Sequence, residues 1–123
     1  MKYILLIYGN YSDDSTAPGS PEFDALIGEY IAFTNAVGEA GILGASEELD
    51  DPATARTLRV RDGEARFTDG PFIESKEHLG GFYLIDVESF EEAAKWAAQI
   101  PDARTGAIEI RPVMERDYSE FGG

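Results

Sequence analysis

Two segments of the chain are apolar at both alternating sets of positions, Tyr3 to Tyr8 and Gly81 to Val87. A strand that offers apolar side chains to both sides is covered on both, so these two are expected as the central strands of one sheet. Elsewhere the pattern has a single apolar side. Between Pro21 and about Ala40, residues Phe23, Leu26, Ile27, Tyr30, Ile31, Thr34 and Val37 recur at three- and four-residue steps. They predict an amphipathic helix, opened by Ser20-Pro21-Glu22 and closed at Gly41. A second helix is predicted from the capping box Ser89-Phe90-Glu91-Glu92 to Gln99, burying Phe90, Ala93, Ala94, Ala97 and Ile100. Trp96 sits at the edge of that stripe, and Pro101 stops the helix.

The remaining strands are shorter. Leu43 to Leu49 is a short candidate, and Ala107 to Arg111 alternates Ile108 and Ile110 against Glu109 and Arg111, as an edge strand covered on one face does. Ala55 to Arg61 and Glu64 to Thr68 flank Asp62-Gly63, a pair suited to a type I′ turn, and so read as a hairpin. Two-residue closure puts Leu58, Val60, Ala65 and Phe67 on one face. The other face holds Arg59, Arg61 and Arg66, with Arg59 directly across from Arg66. That like-charge pair disfavours the hairpin unless a neighbouring carboxylate or an anionic ligand offsets it.

The element order, strand, helix, strand, hairpin, strand, helix, strand, predicts an α+β fold: a ferredoxin-like split βαβ with an inserted β-hairpin, over residues 1–123 as a single domain. Both helices of such a fold cover one face of the sheet, which leaves apolar residues of the central strands uncovered on the other. A second copy of the chain is the simplest cover, so a homodimer packed sheet to sheet is expected. The segment 113–123, polar with Met114, Tyr118 and Phe121 interspersed, is read as a C-terminal arm that docks elsewhere.

Composition narrows the chemistry. A net charge of −14 argues against nucleic acid and against anionic membrane surfaces, both of which require clustered Lys and Arg. With no cysteine, thiol nucleophiles, disulfides and zinc–thiolate sites are excluded, and the chain is expected in the cytoplasm. The opening apolar run is short and carries tyrosines, so it reads as a strand and not as a signal peptide. No metal or other cofactor is expected. A single histidine leaves only carboxylates as ligands, and Glu47, Glu48, Asp50 and Asp51 lack calcium-loop spacing and read as a solvated turn.

The stretch Asp69-Gly70-Pro71-Phe72-Ile73-Glu74-Ser75-Lys76-Glu77-His78-Leu79-Gly80-Gly81 concentrates what remains. Gly70-Pro71 sets a turn, and Gly80-Gly81 lets backbone approach closely where the next strand begins. Between them, Glu74, Lys76 and His78 are the candidate catalytic residues, projecting to one side if the loop is extended. Asp69, Glu77, Arg59 and Arg66 are candidate ligand contacts. Carboxylates beside a lysine and a histidine favour the charged forms of both, a set suited to proton transfer. The competing reading is a solvated loop in which Lys76 pairs with an acid to hold the turn.

Asp69-Gly70-Pro71-Phe72, Glu74-Ser75-Lys76-Glu77 and Leu79-Gly80-Gly81-Phe82 resemble the YCII-related family in its DGPF branch. The first strand, the Asp62-Gly63 hairpin, Glu92-Ala93-Ala94 and Ile108-Glu109-Ile110-Arg111-Pro112-Val113 extend the likeness over nearly the whole chain. The resemblance implies a dimeric α+β barrel of ferredoxin-like protomers, mostly bacterial, of unsettled function, some beside or fused to sigma factors. A related branch carries a proposed His-Asp pair and includes a lyase acting on a chlorinated aromatic. That histidine lies in the family's first helix or just before it, where this chain has none, so the assignment is not carried over. The expectation is a small-molecule pocket lined by residues 69–78 with lyase- or isomerase-like chemistry, or else a non-catalytic ligand sensor or interaction module serving transcription regulation.

Overall fold

The computed structural model describes residues 1–11, 18–73 and 75–119. The chain runs β1 (Lys2–Gly9), α1 (Pro21–Glu39), β2 (Leu43–Glu48), a short 3₁₀ turn (Pro52–Thr54), β3 (Arg56–Arg61), β4 (Glu64–Asp69), β5 (His78–Asp86), α2 (Phe90–Ala97), a second 3₁₀ turn (Pro101–Arg104) and β6 (Ala107–Pro112). Four strands form an antiparallel sheet in the order β2-β5-β1-β6, and β3-β4 forms a separate two-stranded sheet. This is the α+β, ferredoxin-like order read from the sequence, with the doubly apolar β1 and β5 at its centre.

Alternation explains why the sheet has two characters. Tyr3, Leu5, Ile7, Tyr83 and Ile85 point to the side where α1 and α2 lie and form the core with Phe33, Val37, Ala93, Ala97 and Ile100. The opposite side carries Ile4, Leu6, Tyr8, Phe82 and Leu84, all half-buried. Leu6 and Phe82 are cross-strand partners, as are Ile4 and Leu84, so these residues share one patch. Its flanks are polar, with Glu47 beside Phe82 on β2, and Glu109 and Arg111 of β6 joined in an ion pair at 2.6 Å.

Four local readings require correction. Phe33, absent from the stripe read in the first helix, is buried and meets Tyr83 edge-to-face at 4.9 Å between ring centroids, whereas Ile31 is exposed. The core-facing line of α1 therefore runs through Phe33 and Val37. Phe90, the first residue of α2, is exposed rather than buried. That helix ends at Ala97, not Gln99, with Ala98 as its cap. Strand β5 begins at His78, three residues earlier than expected, because β1 extends to Gly9 and pairs with it there.

The glycines at the start of β5 are explained by what sits beside them. A Cβ on Gly81 would lie 2.7 Å from the Glu47 carbonyl oxygen, and one on Gly80 would lie 1.9 Å from Tyr11 Oη. The first lets β2 close onto β5; the second makes room for a phenol laid across the end of the sheet.

The hairpin register matches the turn chemistry. Asp62 and Gly63 both have positive φ, 52° and 76°, as a type I′ turn requires, and Arg59 faces Arg66. The like-charge pair is relieved on both sides. Arg59 stacks over the Phe72 ring at 4.9 Å, and Arg66 lies 3.9 Å from Glu64. Of the C-terminal arm, Val113 is tied to β1 by its N–H donating to the Lys2 carbonyl at 2.9 Å, while Met114 and Tyr118 are exposed; Phe121 lies outside the described residues. No described helix is long and apolar enough to cross a membrane.

Candidate functional site

A cleft of about 510 Å³ opens where the hairpin leaves the β2-β5 edge of the sheet. Local chemistry builds each wall. Asp51 caps the 3₁₀ turn, its carboxylate accepting from the Ala53 N–H at 2.8 Å, while the Asp50 carboxylate accepts from the Asp51 N–H at 2.7 Å. Asp50 and Asp51 are thus spent on turn geometry, while Glu47 and Glu48 belong to β2. Leaving that turn, Ala55 and Gly70 close the hairpin base, with the Gly70 N–H donating to Ala55 O at 2.7 Å and Thr57 Oγ1 donating to Gly70 O at 2.9 Å. Gly70 itself takes a φ of +98°, which few side chains tolerate, and Pro71 follows it.

Into the cleft these elements bring Thr54, Arg56 and Thr57 from the turn and β3, Phe72 from the following loop, and His78 and Leu79 from the start of β5. Leu49, Pro52, Ala55 and Pro71 supply apolar surface. Asp50 and Asp51 line it as well, so the floor is a mixed one, carrying a cation, two carboxylates engaged with the turn backbone, two hydroxyls, an imidazole and aliphatic carbon. Such a composition suits a small organic molecule with one charged or strongly polar end.

Among the described candidate catalytic and ligand-contact residues, His78 alone lines the cleft directly, and it does so from a strand, not a loop. Asp69 stands behind it, 3.9 Å from Arg56 and directly opposite it in the hairpin register. The same guanidinium lies over the Phe67 ring at 4.9 Å. Lys76 and Glu77 are exposed beyond the rim, and among the described residues Lys76 forms no ion pair. Ser75 Oγ donates to the Glu77 carbonyl. Arg59 and Arg66 lie on the hairpin face described above, outside the cleft lining. Glu74 lies outside the described residues.

Two groups escaped the sequence reading. Arg56 could have been found by extending the hairpin register from Asp62-Gly63, which pairs it with Asp69. The second is a phenol cluster at the same end of the sheet, on its helix side. Tyr30 Oη donates to Asp102 Oδ2 at 2.6 Å, and burial, that bond and the Asp102 charge push the Tyr30 phenol well above its usual range. Tyr11, over Gly80, is raised to about 12 by burial and by the nearby Asp102 and Glu48 charges. Residues 72 positions apart meet here, which no local pattern announces.

A family model for the YCII-related domain matches residues 1–117. An uncharacterized protein of Rhizobium meliloti (strain 1021) is 39% identical over 115 residues, covering 92% of each chain.

Proposed function

The chain belongs to the YCII-related domain family, and on that footing we propose that it is a bacterial, cytoplasmic homodimer of the DGPF branch that binds a small organic anion in the cleft beside His78. The observation that carries this reading is the convergence of His78, Arg56, Thr54 and Thr57 on one open space of about 510 Å³, whose lining carboxylates Asp50 and Asp51 are engaged with backbone N–H groups of the turn. In it, Arg56 anchors the charged end of the ligand and Asp69 holds the guanidinium in place. His78, at the mouth of β5, takes or gives a proton at a neighbouring carbon or oxygen. Elimination or isomerisation is the chemistry such a set performs without a metal or other cofactor. Lys76 and Glu77 lie on the approach, and Arg59 and Arg66 add positive charge to the flank. The dimer forms a barrel by packing the Ile4, Leu6, Phe82 and Leu84 faces of two copies together.

A second reading is favoured by the outward position of Lys76 and Glu77: a ligand sensor without turnover, serving a transcription regulator such as a sigma factor. One experiment separates them. Melting curves are recorded with a panel of small carboxylates on wild type, Arg56→Gln and His78→Gln, and hits are followed for conversion by NMR. A stabilising carboxylate lost in Arg56→Gln supports the cleft; conversion abolished in His78→Gln while binding persists makes the protein an enzyme. Binding without conversion in wild type leaves the sensor. A panel hit whose effect is the same in all three proteins would sink the site.

A further inference from the structure

Two features of the sheet end, the imidazole of His78 and the phenol of Tyr11, meet on one side of the sheet. Alternation in β1 puts Gly9 on the buried, helix-covered side with Tyr3, Leu5 and Ile7, and Gly9 is the cross-strand partner of His78. Partners across a ladder share a face, so His78 leaves β5 on the helix side, at the edge where the cleft opens.

The Tyr11 ring lies over the same spot. A Cβ built on Gly9 would lie 3.4 Å from both Tyr11 Cζ and Oη, and one on Gly80 would lie 1.9 Å from Oη. The phenol oxygen thus stands close to where residue 80 would carry its Cβ, two residues along β5 from His78. Residues two apart on a strand carry their Cβ atoms roughly 7 Å apart on one face, a gap that an imidazole turned along the strand spans. No hydrogen bond joins the two side chains as they stand, and rotation of His78 about its own torsions makes one.

Charge sets the direction of that bond. Asp102 and Glu48 stand near the phenol, and together with burial they raise it to about 12, so it keeps its proton at neutral pH. Tyr30 Oη donates to Asp102 Oδ2 at 2.6 Å and holds that carboxylate in place. The two negative charges draw the Tyr11 O–H toward themselves, which leaves the oxygen lone pairs to accept from a donor. Filling the cradle over Gly9 and Gly80 requires only a ring. A hydroxyl in a half-buried place is costly unless it is hydrogen-bonded, and among the described residues Tyr11 Oη has no such partner.

We propose that Tyr11 is a positioning residue for His78, its phenol oxygen accepting from one imidazole N–H so that the other ring nitrogen faces the cleft unprotonated. The inference rests on the cleft reading above and narrows it: His78 takes the proton. A ligand C–H or O–H proton passes to the free nitrogen, the bonding electron pair stays on the ligand, and the imidazolium that forms already has its second N–H held by Tyr11. Gly9 and Gly80 provide the room that this pairing needs.

The chain has a single histidine, so its imidazole signals in proton–nitrogen correlation spectra are unambiguous. Spectra of the neutral imidazole are compared for wild type, Tyr11→Phe, which keeps the ring and loses only the hydroxyl, and Gly80→Ala, whose Cβ displaces the phenol. Expected in wild type are one tautomer and a nuclear Overhauser contact from the imidazole N–H to the Tyr11 ring. Expected in both variants are the mixed tautomers of an unrestrained histidine. Mixed tautomers in wild type, an N–H without contact to the Tyr11 ring, or an unchanged single tautomer in Tyr11→Phe each overturn the pairing. Gly80→Ala decides in the same way should Tyr11→Phe lose its fold by circular dichroism. No added ligand is needed, so the result is separate from that of the carboxylate panel. A failed pairing beside Arg56-dependent binding overturns the positioning role and leaves the cleft standing, whereas a Tyr11-dependent tautomer beside binding that ignores Arg56 overturns the cleft and, with it, the role of the pair in proton transfer.

Discussion

The four-stranded sheet and the hairpin are written in the same alternating code and end in opposite environments. In β1 the residues Tyr3, Leu5 and Ile7 alternate with Ile4, Leu6 and Tyr8, and one set is buried while the other is half-covered. In β3 and β4, Leu58, Val60 and Phe67 alternate with arginines and threonine, and every one of the three stays open to water. Alternation therefore specifies that a strand has two sides. It does not specify that the same chain supplies the cover, and only the location of the remaining elements decides that.

The sharpest contrast is between core and hairpin truncations. Ile85, fully buried in the core, is expected to cost about 2–5 kcal/mol when cut to Ala, read as a lower urea midpoint at unchanged slope. Val60→Ala in a dissociated sample is expected within about 0.5 kcal/mol of wild type, as exposed substitutions are. A larger loss for Val60→Ala at high protein concentration alone would place the hairpin in an interface.

Next in size are the glycines where β5 begins. Gly81→Ala drives a Cβ toward the fixed Glu47 carbonyl and is expected to cost about 1–3 kcal/mol, whereas Gly80→Ala meets only the movable end of Tyr11 and costs less. A double-mutant cycle with Tyr11→Ala checks this, because the Gly80 penalty should shrink when the phenol is gone and the Gly81 penalty should not.

A smaller effect belongs to the phenol cluster. Tyr30→Phe removes the hydrogen bond to Asp102 and is expected to cost about 1–2 kcal/mol at neutral pH. The pH dependence follows from the raised phenols. The folded protein holds the Tyr30 and Tyr11 protons more tightly than the unfolded chain, so their contribution is complete below the ordinary tyrosine value of 10.0 and declines as pH rises from there. Melts between about pH 9 and pH 12 should show a shallower alkaline loss in Tyr30→Phe than in wild type. Lys76→Ala, on an exposed side chain without an ion pair among the described residues, is expected to change stability by less than about 0.5 kcal/mol. A clear loss there would instead make Lys76 a clamp for its loop.

Much of the fold was legible because its signals are local. The capping serines are seen in place, with the Phe23 N–H donating to Ser20 Oγ and the Glu92 N–H to Ser89 Oγ. The type I′ dipeptide and the two doubly apolar strands were as plain. The boundary of β5 was harder to read, because a partner strand and not the residues His78-Leu79-Gly80 themselves extends it. Phe33 was missed for a related reason: helical periodicity leaves the apolar stripe about a residue wide in either direction, and the sheet chooses which line is buried. Only part of the candidate site could be seen. His78 drew attention as the single histidine, but Thr54, Arg56 and Thr57 reach it through a turn and a hairpin base whose spatial meeting leaves no mark on sequence spacing.

The central place of β1 also sets a timetable. Its partners are far along the chain, Lys2 pairing with Asp86 and Tyr3 with Pro112. At ribosomal rates of about 5–20 residues per second, the first strand waits roughly 5–20 s for β6 to be made. Until β5 is made a segment apolar on both sides has no native partner, and until β6 is made one of its edges stays open, whereas the hairpin, joined through two residues, can close within about 10 μs of its own synthesis. The order of events during translation is thus the reverse of the order of stability: the hairpin that the finished protomer leaves exposed forms first, and the strand at its heart is satisfied last. Any nascent-chain factor that this protein depends on should act on residues 3–8, and its release should coincide with the emergence of residues 107–112.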